Sequence, residues 1–197
     1  TEGHTGQIKK AVDLMLKAKR PVLFAGGGVV LFKASDKFTQ LAKKLNFPVT
    51  TSLMGIGAFS QTDEQSIGWP GMHGSFAANN AMHASDLVIN IGARFDDRVT
   101  NNTAKFCPTA RIIHVDIDPS SIGKTIRVDV PIVGAADKVL AEMLNLLEAA
   151  EETPDAAALA SWWEQINTWR ASRAGKDYEP AQNGALMKPQ QVVEAVY

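Results

Sequence analysis

The stretch RPVLFAGGG, residues 20–28, is a short apolar run that ends in three glycines, and versions of it recur along the chain. FPVTTS (47–52), DLVINIG (86–92), RIIHVDID (111–118) and the extended piece around RVDVPIVG (127–134) are further runs of this kind. Apolar runs of that length, ended by glycine, serine or acidic residues, read as strands buried on both faces. Between them lie segments with helical periodicity. Ile8, Ala11, Val12, Met15 and Leu16 follow Thr5, a candidate cap, and Phe38, Leu41, Ala42 and Leu45 mark the next helix. SFAANNAMHA (75–84) is small and helix-compatible, and Val139, Leu140, Met143, Leu144 and Leu147 form a last apolar stripe that ends near Ala150. Strands and helices alternating at this spacing predict an α/β domain over residues 1–150. It is a doubly wound, mostly parallel, Rossmann-like sheet of about six strands, with helices on both faces.

After Ala150, EAAEETPDAA reads as a polar linker. Trp162, Ile166 and Trp169 then share one helical face, able either to cover the domain core or to contact a neighbouring domain. Residues 151–187 are therefore expected to be a linker and a Trp-rich helical segment. Pro189 reads as the first turn of a helix whose apolar residues Val192, Val193 and Val196 have just begun. Residues 188–197 are expected to open a following domain, so the chain is expected to be a fragment of a longer polypeptide.

Composition excludes several classes of function. A net charge of −1 leaves no basic footprint for nucleic acid or anionic lipid. No apolar run reaches the roughly 20 residues that span a bilayer. The single cysteine, Cys107, excludes an internal disulfide and a multi-cysteine metal site, and fits a cytoplasmic setting. The four histidines (His4, His73, His83, His114) lack metal-ligand spacing, so no metal is expected on this chain. His83 on a helix and His114 in a strand read as packing residues.

Ligands of doubly wound sheets bind at the carboxyl ends of the strands, so the residues just after each strand are the candidates for a site. Gly26, Gly27 and Gly28 follow the first strand. They allow close backbone approach and are expected to leave N–H groups free for phosphate, although the run is not GxGxxG because Leu31 stands where the last glycine is needed. TSLMGIG follows the second strand, and then comes a longer loop in which Gly71 and Gly74 bracket Met72 and His73 ahead of a helix. GARFDDR, with Arg94, Asp96, Asp97 and Arg98, follows the third strand. DIDPSSIGK follows the fourth, with an acidic residue where ribose hydroxyls are usually gripped. Four such strand ends together point to a nucleotide cofactor.

These residues also carry a resemblance. GMHGSFAANNAMHASDLVINIGARFDDRVT and HVDIDPSSIGK, with RPVLFAGGGV and PVTTSLMGIGAF in the same order, closely resemble the central domain of acetolactate synthase catalytic subunits, thiamine-diphosphate enzymes, over roughly residues 5–150. KPQQVVEAVY resembles the opening of that family's third domain. The resemblance implies that the chain binds FAD, which does no net redox in acetolactate formation. It also implies that thiamine diphosphate and Mg2+ are held by the other domains. Neither the activating glutamate nor the GDG…N motif is found in this sequence, so the chain alone is expected to be inactive. The expected partners are the neighbouring domains, further copies of the large subunit in a homo-oligomer, and a small regulatory subunit; the expected pathway is branched-chain amino-acid biosynthesis.

By the same resemblance, Gly26, Gly27 and Gly28 would meet the diphosphate or ribityl region, and Ser52, Leu53 and Met54 the flavin side. Gly71, Met72, His73 and Gly74 would contact the isoalloxazine. Gly92, Ala93, Arg94, Asp96 and Arg98 would hold the middle of the cofactor, and Asp116 and Ile117 the adenosine end. Arg98 resembles the family arginine that faces the substrate channel, where a guanidinium would take the carboxylate of the second 2-ketoacid. Where the family often has Gly-Asp after the last strand, this chain has Gly134-Ala135. Central domains of glyoxylate carboligase or pyruvate oxidase type, an NAD-dependent dehydrogenase domain, and a non-enzymatic packing module that binds no nucleotide are the competing readings. GMHG with RFDDRVT argues against the first two, and the missing GxGxxG against the third.

Overall fold

The structure is a computed structural model and describes residues 1–172, 179–182 and 186–196. Those parts of the 151–187 and 188–197 segments that fall at 173–178, 183–185 and 197 lie outside the described residues. Five strands form one sheet among the described residues: β1 (Pro21–Ala25), β2 (Val49–Thr51), β3 (Leu87–Ile91), β4 (Arg111–Asp116) and β5 (Val130–Val133). The order is β2-β1-β3-β4-β5 and every pairing is parallel. The expected parallel α/β sheet is present, with five strands rather than about six. Beside β2, where a sixth would add, residues 65–68 make a single parallel bridge, Val49 to Ser66. Backbone bonds from the Val49 and Thr51 N–H groups to the Gln65 and Gly68 carbonyls, and from the Ile67 N–H to the Val49 carbonyl, hold that segment against β2. Gln65 side-chain bonds to the Ala42 and Phe47 carbonyls anchor it, but it does not extend into a strand.

Both faces of the sheet are covered because strand residues alternate between two cores. Leu23, Ala25, Ile89, Ile91, Ile113 and Val115 face one side. There they pack with α1 (Thr5–Lys17), α3 (Ser35–Leu45) and α6 (Ala136–Ala149), through Ile8, Phe38, Leu41, Val139 and Met143. Val22, Phe24, Val88 and Ile112 face the other side, against α4 (Phe76–Ala84) and α7 (Ala156–Ala171). Short α2 (Gly27–Leu31) and α5 (Asp97–Thr100) follow β1 and β3, and α8 (Pro189–Val196) has Pro189 in its first turn.

The tryptophan face covers this chain's own core. Trp162 is buried and its indole N–H donates to the Pro21 carbonyl at 3.0 Å, Ile166 is fully buried, and Trp169 meets Trp162 edge-on. Arg170 stacks on the Trp163 ring and donates to the Glu64 and Ser66 carbonyls, so α7 is fastened at both edges of its contact.

One cap differs from the reading of the sequence, and a second helix lacks a side-chain cap. Thr5 is the first residue of α1 rather than its cap; His4 is the cap, and its carbonyl takes the Gln7 and Ile8 N–H groups. At α6 the cap is Ala135, in extended geometry (φ −69°, ψ 134°) with no side-chain acceptor for the first-turn N–H groups. Ala135→Asp is therefore expected to add about 1 kcal/mol of stability, the usual worth of such a cap. That raises the melting temperature by roughly 2–4 °C for a chain of this size. An unchanged or lower melting temperature would mean that burying the carboxylate, at a position 7% exposed, costs more than the cap returns.

Candidate functional site at the strand ends

In the order 2-1-3-4-5, the chain leaves β1 and β3 in opposite directions, and the crevice between them is the switch point where such sheets take ligands. Gly26, Gly28 and Gly92 meet there. A Cβ on Gly26 would lie 2.0 Å from the Gly92 carbonyl oxygen, and one on Gly92 would lie 2.7 Å from the Gly28 Cα. Gly92 also has φ +69°, which favours glycine. The Gly26 N–H is bonded to the Ile91 carbonyl at 2.8 Å and the Gly28 N–H to the Gly92 carbonyl at 3.1 Å. The expectation that these glycines leave N–H groups free for phosphate is thus corrected for Gly26 and Gly28. Their missing side chains let two backbones cross. Gly27 faces a different neighbour, and a Cβ there would sit 3.2 Å from the Met54 Cβ.

The loop after β3 sorts its residues by alternation. Ala93 and Phe95 turn inward and are buried, while Arg94, Asp96, Asp97 and Arg98 are exposed. Asn90, buried within the strand, holds the turn: its Nδ2 donates to the Ala93 carbonyl at 2.6 Å and its Oδ1 accepts the Ala93 N–H at 3.1 Å. Phe95, at φ +53°, wedges its ring against Phe24 and Phe106. Arg94 and Asp96 lie 3.9 Å apart, an exposed pair worth little to stability but able to orient the guanidinium.

The 69–74 loop is clamped onto this one. The Met72 N–H donates to the Arg98 carbonyl at 3.0 Å. Gly71, at φ +108°, lies so close that a Cβ would meet the same carbonyl oxygen at 2.3 Å. Asn79 on α4 takes the Gly71 N–H at 2.7 Å and donates to its carbonyl at 3.0 Å. The Trp69 indole donates to the His73 carbonyl, and the Ser75 hydroxyl caps α4 while donating to the Ile67 carbonyl. Held in this way, Met72 is 58% exposed and His73 is exposed.

Beyond β2, the Ser52 N–H donates to the Ala25 carbonyl and its hydroxyl accepts the Gly55 N–H. The resulting 3-10 turn presents Leu53 and Met54 at 71% and 76% exposure. At the end of β4, Asp116 is half-buried, its Oδ1 accepts the Asp118 N–H, and Ile117 is exposed. The Gly92 N–H bonded to the Val115 carbonyl links this end to the β3 loop.

A separate hollow of about 350 Å³ opens behind the 69–74 loop, lined by Asn79, His83, Asn101, Lys105 and Cys107 among others. It meets the strand-end residues at Gly71 and Met72. His83 lines it and is exposed, which corrects its reading as a packing residue. His114 is buried as expected. Burial pushes the Cys107 thiol up to about 12, so it stays protonated and unreactive at neutral pH. Among the described residues no cluster of His, Cys, Asp or Glu could hold a metal ion, and no helix is long and apolar enough to cross a membrane.

Asn79, Asn90 and Thr50 (whose hydroxyl donates to the Gly68 carbonyl at 2.7 Å) were not singled out from the sequence. Asn90 carried a signal, since it interrupts an apolar strand with a polar side chain.

An all-parallel sheet of this order, with glycine crossings at the switch point and exposed apolar and ionic groups on its strand-end loops, defines a doubly wound Rossmann-like domain. Residues 8–143 match the family model described as the central domain of thiamine pyrophosphate enzymes, and the chain belongs to that family. Over 195 residues, 99% of this chain and 33% of the relative, it is 52% identical to the acetolactate synthase large subunit of Haemophilus influenzae. It is 44% identical over its whole length to the acetolactate synthase isozyme 3 large subunit of Escherichia coli, covering 34% of that protein. To the acetolactate synthase large subunit of Mycobacterium tuberculosis it is 41% identical over 98% of the chain, which is 31% of that protein. The chain thus spans about a third of the length of the curated relatives it matches.

Proposed function

We propose that this chain is the FAD-binding central domain of a cytoplasmic acetolactate synthase large subunit, which decarboxylates pyruvate and joins it to a second 2-ketoacid in branched-chain amino-acid biosynthesis. The observation that carries the reading is the Met72–Arg98 backbone bond, which sets an apolar loop beside an ionic one at the switch point. The donor set fits a flavin dinucleotide. Leu53, Met54 and Met72 offer exposed apolar surface for a ring, Arg94 offers a cation for the diphosphate, and Asp116 offers a carboxylate for ribose. Gly26, Gly27, Gly28, Gly92 and Ala93 would supply close backbone walls, and Ser52, Gly71, His73, Gly74, Asp96 and Ile117 would complete the lining. In the whole enzyme, thiamine diphosphate with Mg2+, held by the other domains, supplies the carbanion chemistry. A homo-oligomer with a small regulatory subunit is the proposed assembly.

Titration with FAD tests this directly. Flavin fluorescence is expected to be quenched saturably, more weakly than by a full-length subunit because part of the pocket wall belongs to other domains. NADH is expected not to bind. NADH binding with no FAD binding would overturn the reading.

Within the same proposal, Arg98 has an exposed side chain while its carbonyl anchors Met72, so it is free to take the carboxylate of the acceptor 2-ketoacid. Arg98→Lys in the full-length enzyme keeps the charge but loses the planar fork. A charged hydrogen bond is worth about 1.5–3 kcal/mol, so KM for the acceptor should rise about ten- to a hundredfold. An unchanged KM with lowered FAD content would instead make Arg98 a cofactor residue.

A further inference from the structure

Register partners across the sheet place Thr50, Phe24, Asn90, His114 and Pro131 in one row, just below the strand ends. Two polar members of this row each hold the loop above them. Thr50 donates to the Gly68 carbonyl beneath the 69–74 loop, and Asn90 makes its pair of bonds to Ala93 in the 92–98 loop. His114 is the third polar member and sits two residues before Asp116. It is 1% exposed, yet neither ring nitrogen has a hydrogen-bond partner among the described residues. Its Nε2 stands 3.9 Å from Asp116 Oδ2, about 1 Å beyond hydrogen-bond distance. The other Asp116 oxygen is taken by the Asp118 N–H.

A buried, unpartnered imidazole is costly, and a folded chain that keeps one calls for a reason. Desolvation holds His114 below the usual imidazole pKa, against the pull of the Asp116 carboxylate and the nearby Ala93 backbone, so the ring is neutral near pH 7 and carries one N–H. Phe95 lies edge-on to the ring at 5.2 Å and also packs on Phe24, so the ring is held in place by the loop that carries Arg94 and Asp96. The nearby Ala93 carbonyl already accepts the Asn90 Nδ2 bond, and Asp116 Oδ2 stands 3.9 Å from the ring's Nε2.

We propose that His114 is a positioning residue: its Nε2–H hydrogen-bonds Asp116 Oδ2 when that carboxylate engages a ribose hydroxyl, fixing the carboxylate for the adenosine end of the cofactor. This rests on the reading of Asp116 as a ribose-binding group. It gives the row one logic, in which each buried polar side chain sets the loop directly above it. Thr50 and Asn90 do so through the bonds already described, and His114 completes its own on binding.

The full 197-residue chain tests this with His114→Leu and His114→Gln, each followed by thermal melting without ligand and by FAD titration. Because neither His114 ring nitrogen has a hydrogen-bond partner among the described residues, His114→Leu is expected to melt at or above the wild-type temperature while binding FAD about tenfold more weakly. His114→Gln retains an N–H donor and is expected to recover affinity to within about threefold of wild type. In an Asp116→Ala background the His114→Leu substitution should change affinity less than about twofold, because its partner is gone. A His114→Leu chain that binds FAD like wild type overturns the inference and leaves the flavin reading intact. So does one that melts well below wild type, or one that loses the same tenfold without Asp116. A wild-type chain that binds no FAD removes the flavin reading itself.

Discussion

Gly26→Ala is expected to destabilise the native fold severely or to abolish it. Its added Cβ would lie 2.0 Å from the Gly92 carbonyl oxygen, 2.3 Å from that carbonyl carbon and 2.4 Å from the Ala93 nitrogen. All three are backbone atoms of the chain leaving the central strand β3, so no side chain can swing aside to make room. The Gly26 backbone itself, at φ −104° and ψ −177°, is extended and open to any residue, so the penalty is purely the contact. Relief requires parting β1 from β3 where the Gly26 and Gly28 N–H groups are bonded across the gap. Loss of more than about 4 kcal/mol is expected, the exceptional end of single substitutions. That corresponds to a melting temperature lower by roughly 10 °C or more, or to no soluble folded protein. Gly123→Ala is the control. Its φ is +72°, but an added methyl would meet no described atom within 4 Å, so backbone strain of about 1–2 kcal/mol is all it should cost. Urea unfolding of the two variants separates the cases, and a Gly26→Ala loss no larger than that of Gly123→Ala would show the crossing to be looser than described.

That contrast also shows what a linear reading of this chain can reach. Strand positions were legible because Pro21–Ala25, Leu87–Ile91 and Ile112–Val115 are buried on both faces and so read as largely apolar runs, broken only by Asn90 and His114. Helices α3 and α6 were legible because each buries a single stripe at helical spacing. The strand-end loops could be located for the same reason: the sheet is parallel and their place in it is set by the strands. Three-dimensional crossings were not accessible in this way. Gly26–Gly28 reads equally as a phosphate cradle or as a passage for another backbone, and nothing local to residues 26–28 reveals that Gly92, more than 60 positions on, occupies the space. His83 was misjudged because α4 is rich in small residues with a weak apolar stripe, so the outward face of the helix could not be told from the inward one. Trp162 and Ile166 announced a buried face, but what buries it depends on where α7 docks.

The polar row beneath the loops illustrates the same limit, and Asn90 gives it a measurable consequence. Asn90→Leu keeps the side chain's approximate volume and suits a strand whose neighbours Ile89 and Ile91 are fully buried, so by hydrophobicity alone it reads as an improvement. The structure reverses that expectation. Ala93 is 5% exposed and both of its backbone groups are bonded to the Asn90 amide, so leucine leaves a buried N–H and a buried C=O unpaired together. Each such group costs about 1–3 kcal/mol, for a total of about 2–6 kcal/mol. Thr50→Val removes one of two bonds to the Gly68 carbonyl, which still accepts the Thr51 N–H, so it should cost only about 1 kcal/mol. Hydrogen exchange at the Ala93 amide reports the loss locally, because its protection comes from the one side chain that leucine removes. Protection at Ala93 should collapse in Asn90→Leu, while amides at the centre of β1 fall only with global stability. FAD affinity should fall with it, since Arg94 and Asp96 are carried on the turn that Asn90 closes. A variant that keeps Ala93 protected and the wild-type stability would mean that Phe95, wedged between Phe24, Phe106 and His114, holds the turn without help from the amide.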